Sequence, residues 1–234
     1  MAAARQRTRV AHGSGGMGNN KDIQNVSKAT IGRLPAYHRY LKEKEAEGER
    51  TISSTAIAED LHLNAVQVRK DLSVISSVAG KPKLGFEITD LIDDINRILG
   101  YDNVTDAVLV GAGGLGSALA GYDGFKNYGL NIVAVFDSDP ERIDKTVGGI
   151  RVFDAEQIRH LVRRLNVLIG IIAVPKSAAQ QVADELIEGG VRAIWNFAPV
   201  HLNVPEHIAV KNEDMAASLA ILSKRLAEIL DIEK

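Results

Sequence analysis

Apolar positions change their period as the chain runs. Residues 1–22, with Arg5, Arg7, Arg9 and then Gly13-Ser14-Gly15-Gly16, carry no apolar stripe and too little buriable surface to offset chain entropy, so they read as a disordered arm. Helical spacing begins at Ser27; Pro35 suits the opening of a fresh helical segment, Tyr37, Tyr40 and Leu41 follow, and Gly48 ends it. Over 51–76 two short helices are predicted. Ser53 or Ser54 caps the first, on which Ile57, Ala58 and Leu61 share a face; His62-Leu63-Asn64 makes a turn; the second turns Val66, Leu72 and Ile75 inward. Residues 88–99 form an amphipathic helix (Ile88, Leu91, Ile92, Ile95, Leu99) that ends at Gly100 and reads as a connector over 87–104.

From residue 106 the pattern switches to short unbroken apolar runs separated by helical stretches. Strands are predicted at 106–110, 131–137, 151–153, 167–174 and 193–197, with helices near 116–127, 155–164 and 177–188. Such alternation builds βαβ units with buried parallel strands, hence a Rossmann-like doubly wound sheet over 105–211. Residues 202–210 read as a polar link. In the last segment, 212–234, Met215, Leu219, Leu222, Leu226 and Ile229 share one helical face, which either closes its own domain or crosses into a partner subunit. The fold class is therefore α/β: an N-terminal winged helix-turn-helix domain over 23–86, the parallel sheet, and a C-terminal helix.

Composition narrows the functions open to this fold. The formal charge of −2 is unevenly spread: 14 Lys/Arg stand against 8 Asp/Glu up to Gly85, and 14 against 22 beyond it. Phosphates are attracted to the first part and repelled by the second, so a nucleic acid belongs at the N-terminal end. No cysteine is present, which removes disulfides, thiolate nucleophiles and cysteine-ligated metals, so redox sensing by thiols is excluded. No metal site is expected. No apolar run of about 18 residues and no charged-then-apolar leader occurs, which makes a cytoplasmic protein the expectation.

The chemistry of the second domain centres on Gly111-Ala112-Gly113-Gly114-Leu115-Gly116, directly after an apolar run. Gly-x-Gly-x-x-Gly alone is a weak pattern; a strand before it and a helix after it make it specific. Gly111 permits the tight turn, Gly113 lets the backbone approach a pyrophosphate, Gly116 lets the helix pack on the strand, and the helix start turns free N–H groups toward phosphate. Asp137 ends the second strand, 21 residues past Gly116, where a carboxylate accepts both ribose hydroxyls and repels a 2′-phosphate. Ser138 follows it. That favours NAD(H) over NADP(H), a preference that Arg142 weakens if its side chain folds back. An Asp there can instead cap the next helix, although Asp139, before Pro140, is the better cap. Two further strand ends, Val174-Pro175 and Asn196-Phe197-Ala198-Pro199, border the expected nicotinamide pocket, with Phe197 either against the ring or in the core.

Hydride transfer would need a positioned acid or base. Only His201 and His207 fall near the nicotinamide end, where a turn histidine is the simpler account, and no Ser-x-x-x-Lys pair with a tyrosine stands out. A cofactor is bound without a place to use it. An NAD-dependent dehydrogenase with a helical extension and a CoA-binding Rossmann module remain the alternatives.

In the first domain, Gln67, Arg69 and Lys70 project from the second short helix clear of its apolar stripe, the arrangement of a major-groove recognition helix. Gly80-Lys81-Pro82-Lys83-Leu84-Gly85-Phe86 is a basic turn of the kind that forms a wing, with Lys81 and Lys83 toward phosphates. Lys28, Arg33, Ser53, Ser54 and Ser73 complete the expected DNA-facing set, with the helix-turn-helix region at about 37–76. The plain alternative is an all-α subdomain with a solvated charged face.

From Ser27 onward the chain resembles the Rex family of bacterial redox-sensing transcriptional repressors. The likeness is carried by Ser27-Lys28-Ala29-Thr30-Ile31-Gly32-Arg33-Leu34-Pro35, Arg39-Tyr40-Leu41, Ile52-Ser53-Ser54, Val66-Gln67-Val68-Arg69-Lys70-Asp71-Leu72-Ser73, the glycine loop through Phe125, Phe136-Asp137-Ser138-Asp139-Pro140, and Asn196-Phe197-Ala198-Pro199-Val200 with Leu202-Asn203-Val204-Pro205. The resemblance implies a homodimer on palindromic double-stranded operator DNA, a last helix exchanged between subunits, and release of DNA when NADH rather than NAD⁺ is bound. It also implies that Tyr122 and Phe197 lie near the nicotinamide and that Asp214, at the start of the exchanged helix, responds to the cofactor's redox state. One stretch departs: the family commonly continues Tyr-Phe-Gly and then Gly-Lys-Arg-Gly, where this chain has Val74-Ile75-Ser76-Ser77 and Gly80-Lys81-Pro82-Lys83.

Overall fold

The computed structural model describes residues 26–81, 84–102 and 105–232, so the arm over 1–22 and Lys83 lie outside the described residues. The chain divides into two units, Met1–Leu99 and Gly100–Lys234.

The first unit opens with α1 (Lys28–Ala46), capped where Ser27 accepts from the Thr30 N–H. Pro35 lies inside this single helix, not at a fresh start. Its ring sits on the exposed side, while Leu34, Tyr37 and Leu41 are fully buried opposite it, so core packing outweighs the one hydrogen bond proline removes. After β1 (Thr51–Ile52) come α2 (Ser54–Asp60), capped by Ser53, and α3 (Ala65–Ile75), capped by Asn64 through the Val66 and Gln67 N–H groups. β2 (Phe86–Glu87) pairs antiparallel with β1, and α4 (Ile88–Leu99) follows at once.

Two expectations are corrected here. Val66 is 59% exposed, and Val68 takes the inward place, because it lies four residues before Leu72 and seven before Ile75 on one helical face. α4 is no free connector: Ile88, Leu91, Ile92 and Ile95 share a core with Leu34, Tyr37, Leu41, Ile57 and Leu72. Each such fully buried aliphatic side chain stabilises the unit by about 1.5–3 kcal/mol.

The second unit runs β3 (Thr105–Val110), α5 (Gly114–Ala120), a 3₁₀ turn (Asp123–Tyr128), β4 (Leu130–Asp137), the hairpin β5 (Thr146–Val147) and β6 (Ile150–Asp154), then α6 (Ile158–Leu165), β7 (Ile169–Ile172), α7 (Lys176–Gly189), β8 (Ala193–Asn196), β9 (Ala209–Asn212) and α8 (Met215–Ile232). The strand order is β5-β6-β4-β3-β7-β8-β9, and every pair but the β5–β6 hairpin is parallel. Counted along the chain, the parallel strands stand 3-2-1-4-5-6, the order of dinucleotide-binding sheets, with a switch point between β3 and β7.

β9 spans the end of the stretch expected as a polar link and the start of the segment expected as the last helix. It is a four-residue edge strand with Val210 as its one branched apolar residue, too short to announce itself by period, and it is held by register with β8 from Ala193↔Ala209 to Asn196↔Asn212. The inner strands are apolar on both sides: Val108 and Val110 enter one core with Phe136, Ile172 and Leu186, while Ala107 and Leu109 enter the other with Val135 and Ile171.

Candidate nucleotide cleft and DNA-reading face

The glycine loop turns at the switch point. Gly111 has φ +102°, a value that disfavours any side chain, and a Cβ there would collide with the Ala173 carbonyl at the end of β7. A Cβ on Gly116 would collide with the Gly111 carbonyl, so α5 packs against its own loop only as glycine allows. Gly113 is the N-cap of α5 and supplies no side-chain cap.

Asp137 fastens this loop. Its Oδ2 accepts the Ala112 N–H at 2.7 Å and its Oδ1 accepts the Asp139 N–H at 2.8 Å. Burial pushes its pKa up, but these N–H groups and the Arg142 guanidinium outweigh burial and hold it below the usual carboxylate range. Asp139, expected as a helix cap, is followed by a turn instead, within which it accepts the Glu141 N–H. Between the loop, β4 and the start of α7 opens a cleft of about 850 Å³. Gly111, Gly113, Asp137, Ser138, Val174 and Pro175 all line it. The size suits a ligand of nucleotide class, and Gly111, Gly113 and Gly114 present no Cβ where phosphates would approach.

Of the residues expected at the nicotinamide end, Val174 and Pro175 line this cleft, whereas Tyr122, Asn196, Phe197, Ala198, Pro199 and Asp214 are not among its lining residues. Asn196 is fully buried, and its amide is spent on the Ala198 and Val200 carbonyls, Asn212 Oδ1 and the Ala198 N–H, so it shapes the loop through Pro199 as a staple. Tyr122 and Phe197 are joined through Phe125 and through Trp195, which no motif had flagged: Tyr122 to Phe125 at 4.9 Å, Phe125 to Trp195 at 5.6 Å, Trp195 to Phe197 at 4.9 Å. Trp195 also donates to Glu213 Oε1. Asp214 is exposed and caps α8 by accepting the Ala217 N–H.

The cleft has a third wall that sequence reasoning missed. Asp154, Ala155 and Glu156 leave the carboxyl end of β6, beside β4, and Gln181 and Glu185 face them from α7. The rule that ligands sit beyond the carboxyl ends of parallel strands would have pointed to the first three.

In the first unit α3 presents Val66, Arg69, Lys70, Ser73 and Val74 to solvent along one face. Ser73 donates to the Lys70 carbonyl. Behind that face Asp71, 2% exposed, gathers α1 and α3: it accepts from Thr30 Oγ1 (3.1 Å), Arg33 Nε and Nη2 (2.7 and 2.8 Å), Tyr37 Oη (2.8 Å) and Gln67 Nε2 (3.0 Å). Arg33 and Gln67, expected toward DNA, thus point donors at this carboxylate. Tyr40 ties α1 to α2 through Asp60. Buried Asp94 of α4 accepts from the Ser77 N–H and hydroxyl and so anchors the chain leaving α3. Lys28, Ser53 and Lys81 are exposed, Ser53 as the α2 cap with Ser54 the first helical residue, and Lys81 opens a turn closed by paired backbone bonds to Gly85 while reaching Glu87.

Among the described residues no group of three His, Cys, Asp or Glu is placed to hold a metal ion, and no helix is long and apolar enough to cross a membrane.

A winged helix-turn-helix unit and a dinucleotide-type sheet in one chain define a ligand-controlled DNA-binding regulator. Residues 25–73 match the family model described as putative DNA-binding protein N-terminus, and residues 102–200 match the CoA binding domain. The redox-sensing transcriptional repressor Rex of Clostridium beijerinckii is 42% identical over 88% of this chain and 97% of its own; that of Desulforamulus reducens is 43% identical over 86% and 96%. Among solved structures, RSP, a Rex-family repressor, in complex with β-NAD⁺ and operator DNA matches with a TM-score of 0.81 at 36% identity, over 89% of this chain and 95% of that one. RSP in complex with β-NADH matches at 0.78 and 35%, over 90% and 99%. The chain belongs to the Rex family of redox-sensing transcriptional repressors.

Proposed function

We propose that this protein represses transcription by holding palindromic operator DNA, and that the NADH/NAD⁺ ratio sets the hold, with NADH releasing it. The observation that carries the reading is the glycine loop at the sheet's switch point, fastened by the strand-end carboxylate of Asp137, in a chain that also carries the exposed stripe of α3. The loop from Gly111 to Gly116 receives the pyrophosphate, Asp137 and Ser138 the adenosine ribose, and Val174 and Pro175 border the nicotinamide pocket. Tyr122, Asn196, Phe197, Ala198, Pro199 and Asp214 serve the nicotinamide end. On the DNA side Arg69, Lys70 and Ser73 face the groove, with Lys28, Ser53, Ser54, Lys81 and Lys83 toward the backbone; Arg33 and Gln67 act through Asp71.

NAD⁺ and NADH differ by one charge and by ring planarity. A hundredfold preference between them requires about 2.7 kcal/mol of differential binding, which a pocket walled by Tyr122 and Phe197 would supply by being tight enough to strip water from the charged ring. A reading without catalysis is supported by the relatives, which are named transcriptional repressors. It works as a homodimer that exchanges α8. A CoA-binding reading is favoured only by the family-model match over 102–200; calorimetry with CoA against NADH separates the two. The decisive measurement is operator binding by gel shift as the NADH/NAD⁺ ratio is varied at fixed total cofactor. DNA leaves as the ratio rises; binding that ignores the ratio would sink the proposal.

A further inference from the structure

The turn that carries Lys81 is fastened to the short sheet beside it. Lys81 N–H donates to the Gly85 carbonyl at 2.7 Å, and Gly85 N–H donates back to the Lys81 carbonyl at 2.9 Å. Gly85 has φ +81°, and a Cβ there would collide with the Ile52 carbonyl, so the turn lies directly on β1. On the near side a Cβ on Gly80 would press on the Phe86 ring at 2.8 Å. Glu87, the next residue of β2, is held in register opposite Thr51. The backbones of Lys81 and Glu87 are thus fixed relative to each other.

Their side chains meet. Lys81 Nζ lies 3.2 Å from Glu87 Oε1, with the two side chains 58% and 38% exposed, and Asp90 lines the same small recess. A glutamate carboxylate and a DNA phosphate make the same demand on a lysine, because each is an anionic oxygen group that accepts an ammonium N–H. A phosphate arriving at Lys81 therefore displaces Glu87 or shares the ammonium with it. Displacement gives up the ion pair. Sharing uses two of the three ammonium donors and brings two like charges close together. Either way Glu87 opposes the contact, and an exposed pair of this kind is exchangeable rather than a structural tie.

We infer that Glu87 is an internal competitor for DNA phosphate at Lys81, so that this turn holds the operator backbone less strongly than its lysine alone would. The inference rests on the proposed placement of Lys81 toward DNA. Glu87→Gln keeps the side chain's length and removes its charge. Operator affinity is measured for the full chain, for Glu87→Gln, for Lys81→Ala and for the double variant, with NAD⁺ held constant and salt varied.

Glu87→Gln is expected to bind operator about threefold tighter at low salt, within the range of an exposed ion pair, and the gain shrinks as salt rises. Lys81→Ala should cost more in the Glu87→Gln chain than in the unaltered one. Binding of Glu87→Gln that is unchanged or weaker overturns the inference, as does a Lys81→Ala loss of equal size in both chains. If Lys81→Ala costs nothing in either, Lys81 does not face DNA, and the placement beneath the inference fails instead.

Discussion

Asp71 shows what a single buried charge does in this protein. Burial pushes its carboxyl pKa up, yet hydrogen bonds from Arg33, Tyr37, Gln67 and Thr30 outweigh that and leave it below the usual range. Its partners respond in kind: Tyr37 is pushed up to about 12 by burial and by Asp71, and Arg33 is raised by its bond to Asp71. A carboxylate depressed in the folded state stabilises the fold above its unfolded pKa of about 3.9 and gives that stability up as pH falls through the lower folded value. Asp71→Asn leaves the Arg33 fork facing an amide and is expected to cost about 2–4 kcal/mol. Thermal unfolding between pH 3 and 7 checks this: the variant is less stable at pH 7, and the gap to the unaltered protein narrows below about pH 4. A gap independent of pH would mean that the ion pair is not what the substitution removed.

At the scale of elements, α3 carries two faces that divide its work. Val68, Asp71, Leu72 and Ile75 are turned inward; Arg69 and Lys70 stay exposed, and neither forms an ion pair with a described residue. Removing one cation that neutralises a DNA phosphate lowers the slope of log affinity against log salt by about 0.9. Lys70→Ala is accordingly expected to flatten the salt dependence of operator binding by about one unit while cofactor binding stays as it was; an unchanged slope would place Lys70 away from phosphate.

The same helix shows where sequence reading succeeds and where it stops. Its existence, its Asn64 turn and its polar stripe were legible because caps and period are local. The role of Asp71 was not, because four of its five bonds come from residues 34 to 41 positions away on α1. Arg33 and Gln67 were read as free donors since nothing local shows what they face. In the second unit the glycine loop and Asp137 were legible from spacing. Arg142 was legible only as a condition, β9 was too short to carry a period, and Trp195 joins Tyr122 to Phe197 only once β8 stands in its sheet.

For the whole molecule the unspent surface is the informative quantity. Met215, Leu219, Leu222, Leu226 and Ile229 of α8 are each more than half exposed, along a helix of 18 residues that spans roughly 27 Å. Elsewhere on the same unit an open, largely apolar groove of about 490 Å³ is lined by Leu130, Ile169, Ala193, Trp195 and Val210. Two apolar faces of this size on one unit favour association with a second copy, since soluble monomers seldom leave such patches uncovered. If α8 of each copy crosses to the other, Leu222→Glu with Leu226→Glu places two charges in the interface and should yield monomers in sedimentation, with the cofactor cleft still able to bind nucleotide. The consequence for DNA follows from linkage. Two heads on one palindrome bind with an effective concentration that single heads lack, so the variant should lose about a hundredfold or more on the full operator. On a duplex with one half-site it should bind as the unaltered protein does. A variant that stays dimeric, or one that weakens equally on both duplexes, would show that α8 does not join the two heads.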